Sequence, residues 1–225
     1  AGLAITSGGS NVAIGASSLD ALTGGDGNVA VGKNALSTAA NGENYNTAIG
    51  NNAMSNSTHA STDYSVAIGH SALLGGTGES GRNVAVGAFA LDGGGDVGAT
   101  QNVAIGYSAM SGSVATGYPF WNVAIGHQAM GTGTMNACAG NVAIGYQAGK
   151  VITEGRYNIL LGNQTGDAVT TGNYNVAIGY QCLGVADDMD NIVCIGYQAG
   201  DAIDNTGANG SVGVGASALG ALTSG

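Results

Sequence analysis

Along the whole chain a short apolar run alternates with polar, glycine-rich spacers. The run is always Asn-Val-Ala-Ile-Gly or a close variant, ending at Gly15, Gly32, Gly50, Gly69, Gly87, Gly106, Gly126, Gly145, Gly162, Gly179, Gly196 and Gly215. The third residue before each glycine is β-branched, from Val12 through Thr47 and Ile159 to Val212, and the residue directly before it is Ile, Val or Leu. β-Branched side chains favour strands, and residues two apart in a strand share a face. Each copy therefore predicts one short strand. Twelve such strands at steps of 17 to 20 residues predict an all-β fold, a parallel β-solenoid of about 12 coils of ~18 residues. A unit this small cannot bury its own apolar face and must stack on its neighbours. The repeat runs through residues 1–225 without a change of composition, so one array is expected, and no second domain.

The pattern assigns a task to each slot. The two outer aliphatics of every strand are expected to form core ladders. The residue between them, alanine except at Leu160, Cys194 and Gly213, points the other way. A face of alanines lets another backbone approach closely. The slot before the strand is Asn11, Asn28, Asn46, Asn83, Asn102, Asn122, Asn141, Asn158 and Asn175, with Ser65 and Ser211 as variants and Asn191 displaced by one added residue. Stacked asparagine amides can hydrogen-bond from coil to coil, which makes them a structural ladder. The glycine is expected to leave the strand at positive φ. A second apolar pair, such as Ala35-Leu36 or Ala109-Met110, follows and closes the far side of the coil. So few aliphatics per coil cannot offset the entropy of ordering it, so neighbouring chains are expected to contribute burial. The alanine face is the expected contact, and a homotrimer the expected assembly.

Composition narrows the function. Glycine supplies 43 of 225 residues without a Gly-X-Y period, which excludes collagen, and proline is Pro119 alone. A formal charge of −10, with only Lys33, Arg82, Lys150 and Arg156 positive, removes the footprint that nucleic-acid binding needs. No apolar run is long enough to span a bilayer, so membrane insertion of this segment is not expected. The chain begins at Ala1, and 216–225 closely repeats 16–25, so the array is expected to continue past both ends. Cys138, Cys182 and Cys194 have no metal-binding spacing. Cys182 and Cys194 stand in alanine slots, where small buried side chains fit, and a bridge between their adjacent coils is a second reading.

Asn-Val-Ala-Ile-Gly followed by Tyr-Gln-Ala-Gly, intact at Asn141 to Gly149, resembles the head-domain repeat of YadA-type trimeric autotransporter adhesins, and similar repeats in phage and other virion fibres. The resemblance covers essentially the whole chain. It implies a left-handed parallel β-roll, three chains to a fibre, and a role in attachment. The repeat here is longer than that of the compact adhesin heads, which implies larger outer loops. A virion fibre segment that displays loops for host recognition is the first expectation, and a cell-surface adhesin head or extracellular filament the alternative.

Candidate chemistry is sparse. Tyr45, Tyr64, Trp121, Tyr157 and Tyr174 sit just before the Asn/Ser slot, while Tyr107, Tyr146, Tyr180 and Tyr197 directly follow the glycine. Such alignment predicts aromatic rows at the surface or the chain-to-chain seam, able to meet a host glycan or protein. His70 and His127 share the second row, and His59 lies in a loop. No cofactor is expected. A calcium site at Asp187, Asp188, Asp190, Asp201 and Asp204 is the one metal reading, without the Gly-Gly-x-Gly-x-Asp period of calcium-binding solenoids. Glycine-rich Gly24–Gly27 lacks the Lys-Ser/Thr of a phosphate loop. Sequons at Asn56, Asn163 and Asn209 matter only in a eukaryotic secretory setting. No acidic pair recurs in matching slots, so a polysaccharide-cleaving fibre enzyme is the least favoured reading and no catalytic residue is assigned.

Overall fold

The computed structural model describes residues 5–38, 42–56, 62–75, 80–93, 98–113, 117, 119–185, 187–203 and 206–220. His59, Asp204 and the chain from 221 onward lie outside the described residues. The strands are β1 (Val12–Ile14), β2 (Val29–Val31), β3 (Thr47–Ile49), β4 (Val66–Ile68), β5 (Val84–Val86), β6 (Val103–Ile105), β7 (Val123–Ile125), β8 (Val142–Ile144), β9 (Ile159–Leu161), β10 (Val176–Ile178), β11 (Val193–Ile195) and β12 (Val212–Val214). They form one parallel sheet in sequence order, the topology of a β-solenoid. Register is slot on slot: Val12 faces Val29, Ala13 faces Ala30 and Ile14 faces Val31, and so on to β12. At about 4.8 Å per strand, the sheet is a rod roughly 50 Å long.

The two faces of the strands are the reverse of the expectation. Ala30, Ala48, Ala67, Ala85, Ala104, Ala124, Ala143 and Ala177 are fully buried inside the coils. The flanking aliphatics point outward, with Ile144 38% exposed in mid-rod and Val214 69% exposed in β12. The reason is the narrowness of the coil. Its interior already receives the second apolar pair, and Ala35 with Leu36, Ala53 with Met54 and Ala109 with Met110 are all buried. Opposite those side chains only a methyl group fits at the centre of the strand.

Where the centre is larger than alanine, the opposite wall is glycine. Leu160 is matched by Gly166, where an added Cβ would lie 2.7 Å from Leu160 Cδ2. Cys194 is matched by Gly200, whereas opposite Gly213 the wall keeps its usual leucine, Leu219, whose Cγ lies 2.6 Å from the position a Gly213 Cβ would take. Gly149 holds the same wall slot opposite Ala143, and there the side chains of Ile152 and Leu160 close in to 2.8 and 2.9 Å of an added Cβ, as a close-packed interior requires.

The turn glycines behave as expected. Gly15 to Gly196 in this slot have φ between +127° and +142°, and an added Cβ on any of them would overlap the carbonyl oxygen of the next turn glycine. Less expected is how much of the coil is left-handed. Leu36, Met54, Leu73, Leu91, Met110 and Met130, fourth after the glycine, have φ near +50°, as do the residues two positions before them. Each costs on the order of 1 kcal/mol in a non-glycine residue. In return, a left-handed residue turns consecutive side chains to the same side, so that alanine and leucine both point inward. Its N–H also reaches the adjacent coil: Leu36 N–H donates to the Ala53 carbonyl at 2.9 Å, and Asn34 N–H to that of Ala16 at 2.8 Å.

Candidate functional site

Several kinds of side-chain column run along the rod. The innermost is the asparagine ladder. Each Oδ1 accepts the backbone N–H of the same slot in the next coil: Asn28 N–H to Asn11 at 2.9 Å, Asn46 to Asn28 at 3.0 Å, Asn122 to Asn102 at 2.9 Å and Asn175 to Asn158 at 3.0 Å. Each Nδ2 donates to a loop carbonyl of that same next coil, as from Asn28 to Glu43 at 2.8 Å and from Asn141 to Gly155 at 2.8 Å. From Asn28 to Asn175 these asparagines are fully buried, and Asn11 at the first coil is half-buried. Buried amides must be paired, and these are. Ser65 relays the ladder, taking its N–H to Asn46 and accepting Asn83 N–H on its hydroxyl at 3.2 Å.

The ladder ends differently from the expectation. Asn191 is not in it: Ile192 occupies the slot, fully buried, and its N–H donates to Asn175 Oδ1 at 2.9 Å. Register decides this, since Val193 pairs with Val176 and the residue before it must fall in the asparagine slot. Asn191 instead takes the left-handed position held by Tyr174 one coil earlier.

A second column, two residues before the first, was not anticipated from the sequence. Here the bonds run the opposite way, from an N–H to the Oδ1 of the following coil. Asp26 N–H donates to Asn44 at 2.9 Å and Asn44 N–H to Asp63 at 2.7 Å. Near the other end Arg156 N–H donates to Asn173 at 3.0 Å, Asn173 to Asp190 at 2.7 Å and Asp190 to Asn209 at 2.9 Å. Between these stretches the slot holds Gly81, Thr100, Phe120 and Ala139, and isolated parallel bridges link Thr100 through Phe120 and Ala139 to Arg156.

Two carboxylates that the calcium reading grouped together are engaged in hydrogen bonds, Asp190 within this column and Asp187 outside it. Asp190 accepts both Asn173 N–H groups, and the Asp187 carboxylate accepts the Thr170 hydroxyl. Among the described residues no group of three His, Cys, Asp or Glu side chains is placed to hold a metal ion. The described helical residues also include nothing long and apolar enough to cross a membrane.

The aromatic rows form the third kind of column. Tyr45 stacks on Tyr64 and Tyr157 on Tyr174, each pair with centroids 5.3 Å apart. Tyr107, His127 and Tyr146 make a continuous stack at 5.2 and 5.3 Å, joined to His70 through edge contacts of Phe89, and Tyr180 stacks on Tyr197 at 5.5 Å. Trp121 packs edge-on against Phe120, and its Nε1–H donates to Gln101. Stacking along the rod consumes ring faces. Within a stack only edges and hydroxyls face outward, and faces are free at its ends.

Beside the second row lies a partial glutamine column: Gln147 donates to Gln128 at 2.9 Å, Gln181 to Gln164 at 3.4 Å and Gln198 to Gln181 at 3.2 Å. The thiols are free and buried. Cys182 and Cys194 form no bridge: Cys182 Sγ–H donates to the Cys194 carbonyl at 3.0 Å, which is what a small side chain in an alanine slot can do. A hydrogen bond with Cys182, then burial, pushes the Cys194 thiol up. Burial pushes Cys138 up to about 12, against the opposing pull of its own backbone hydrogen bond and of Arg156. Neither is poised as a nucleophile.

In comparison with known proteins, no family model matches the chain and no curated protein is similar to it.

Proposed function

We propose that this chain is a shaft segment of a homotrimeric fibre on a virion, such as a phage tail or head fibre, acting as a rigid spacer whose variable loops are presented for host attachment. The observation that carries the reading is the outward row of strand aliphatics. Ile14, Ile49, Ile68, Ile105, Ile144 and Ile159, with Val12, Val212 and Val214, are all exposed on one side of the sheet. With their half-buried neighbours they make a continuous apolar stripe along the strands, and a contiguous exposed apolar surface of this kind marks an interaction site. A stripe along one side of a rod closes by rotation about an axis parallel to the rod. Three-fold closure is what the resemblance to adhesin heads and virion fibres implies. The contact moves from the alanine face to the valine and isoleucine face, and the argument for an oligomer becomes stronger, because large aliphatics are left uncovered.

Sedimentation of the full chain tests this. A trimer is expected, and the double substitution Ile105→Asp with Ile144→Asp, which places charges in the stripe but not in the coil interior, is expected to yield monomers with the β spectrum kept. A wild-type chain that stays monomeric and soluble at high concentration would sink the reading.

A further inference from the structure

Between His70 and Tyr197 the row that follows the turn glycine lacks a ring at two coils: Ala88, where the next residue, Phe89, supplies edge contacts to both neighbours, and Asn163, where no ring does. Tyr146 ends the stack that begins at Tyr107, Tyr180 begins the next, and Asn163 stands in the coil between them. Ring planes within each stack lie 12° to 18° from parallel, so the planes lie across the rod axis. The free face of Tyr146 and the free face of Tyr180 therefore look toward each other over Asn163, two strand spacings or about 10 Å apart. Both tyrosines are more than 40% exposed, and Asn163 is exposed.

The polar column beside the row breaks at the same step. Gln147 spends its amide nitrogen on Gln128, and Gln164 accepts from Gln181. Between Gln147 and Gln164 no hydrogen bond forms, which leaves a carbonyl oxygen and an amino group facing the same coil step. The Asn163 side-chain amide likewise has no partner among the described residues. Two ring faces, the Asn163 amide and a neighbouring acceptor and donor thus border one coil step.

We propose that this slot binds one pyranose ring of a neutral glycan, sandwiched between Tyr146 and Tyr180, with its hydroxyls on Asn163, Gln147 and Gln164. The width favours a saturated ring. A flat aromatic held at carbon–carbon contact of about 3.5–4.0 Å on both faces fills only about 7–8 Å. A pyranose projects C–H bonds from both faces and its hydroxyls around the rim, matching apolar plates and amide edges. The chain's charge of −10 disfavours sialylated, uronic or sulfated sugars. The slot itself stands on ring geometry, whereas its use in attachment rests on the fibre reading, in which three copies per segment would add avidity to a weak single site.

Saturation-transfer NMR on the full chain with methyl α-glucopyranoside, methyl β-galactopyranoside and N-acetylglucosamine oligomers tests the proposal. At least one is expected to receive saturation on its ring C–H protons. Asn163→Tyr, which inserts the missing ring where neighbouring coils carry one, is expected to weaken that binding at least tenfold with the melting temperature kept. Tyr197→Ala, beyond the slot, is expected to change it little. Absence of binding by every sugar, binding unchanged in Asn163→Tyr, or preference for a flat probe such as indole would each overturn the slot. Sedimentation of the same samples separates the two claims: a trimer that binds no sugar removes the slot alone, and a monomer that binds removes the fibre reading alone.

Discussion

The inner asparagine column, from Asn11 to Asn175, runs through the coil interior, whereas the outer column, Asp26, Asn44 and Asp63 near one end and Asn173, Asp190 and Asn209 near the other, lies half-buried or exposed. Both join a backbone N–H in one coil to a side-chain oxygen in an adjacent coil, with similar lengths and opposite directions. Their sequences differ in what they tolerate. The inner slot accepts asparagine, a serine relay or a buried isoleucine, while the outer slot alternates Asp and Asn and gives way in mid-rod to Gly81, Thr100, Phe120 and Ala139. The difference follows from water. An unpaired N–H inside the coil keeps its full desolvation penalty, of about 1–3 kcal/mol, and one at the surface recovers a partner from solvent.

The largest expected effect is therefore inside. Asn141→Leu removes the acceptor of Asn158 N–H, at 3.0 Å, and the donor to the Gly155 carbonyl, at 2.8 Å, and leaves both without a side-chain partner in a fully buried setting. A loss of about 3 kcal/mol or more is expected from denaturant unfolding. A loss below that of an outer-column variant would break the comparison.

The matching outer substitution is milder. Asn173→Ala removes the acceptor of Arg156 N–H at 3.0 Å, where water can replace it. A loss of about 1 kcal/mol is expected by the same measurement. Equal losses at 141 and 173 would mean that direction or end effects, not burial, set the strength of the columns.

How far these columns could be read from the chain depends on how constant each slot is. The inner ladder, the turn glycine and the strand period were legible because a single residue type recurs at each. The two faces of the strand were not, because alternation establishes that the faces differ and leaves open which one is inside. Large aliphatics are ordinarily inside, and here the narrow coil filled by Leu36, Met54 or Met110 leaves room only for alanine. The outer column was hidden by its mixed Asp and Asn usage, and the left-handed leucines and methionines by the absence of glycine at those positions. Two signals were available and unused. Leu160 with Gly166 and Cys194 with Gly200 are paired departures from the repeat, and Asn163 interrupts a row of rings.

The smallest effect concerns a carboxylate that belongs to neither column. Asp92 is half-buried, and burial holds its carboxyl above the usual value of 3.8, partly opposed by its own backbone hydrogen bond. A raised carboxyl pKa means that the folded state disfavours the ionised form. Its contribution to stability is thus fully present below pH 3.8 and is lost as pH rises through the raised value. Asp92→Asn removes that dependence. The variant is expected to melt slightly higher than the wild type at pH 7, with the advantage shrinking as pH falls toward 3.8, in paired melts across that range. An advantage that persists unchanged at low pH would show that charge at Asp92 is not what burial acts on. It would also weaken the rule drawn from the two columns, that a polar group on this rod is costly in proportion to the water it has lost without gaining a partner.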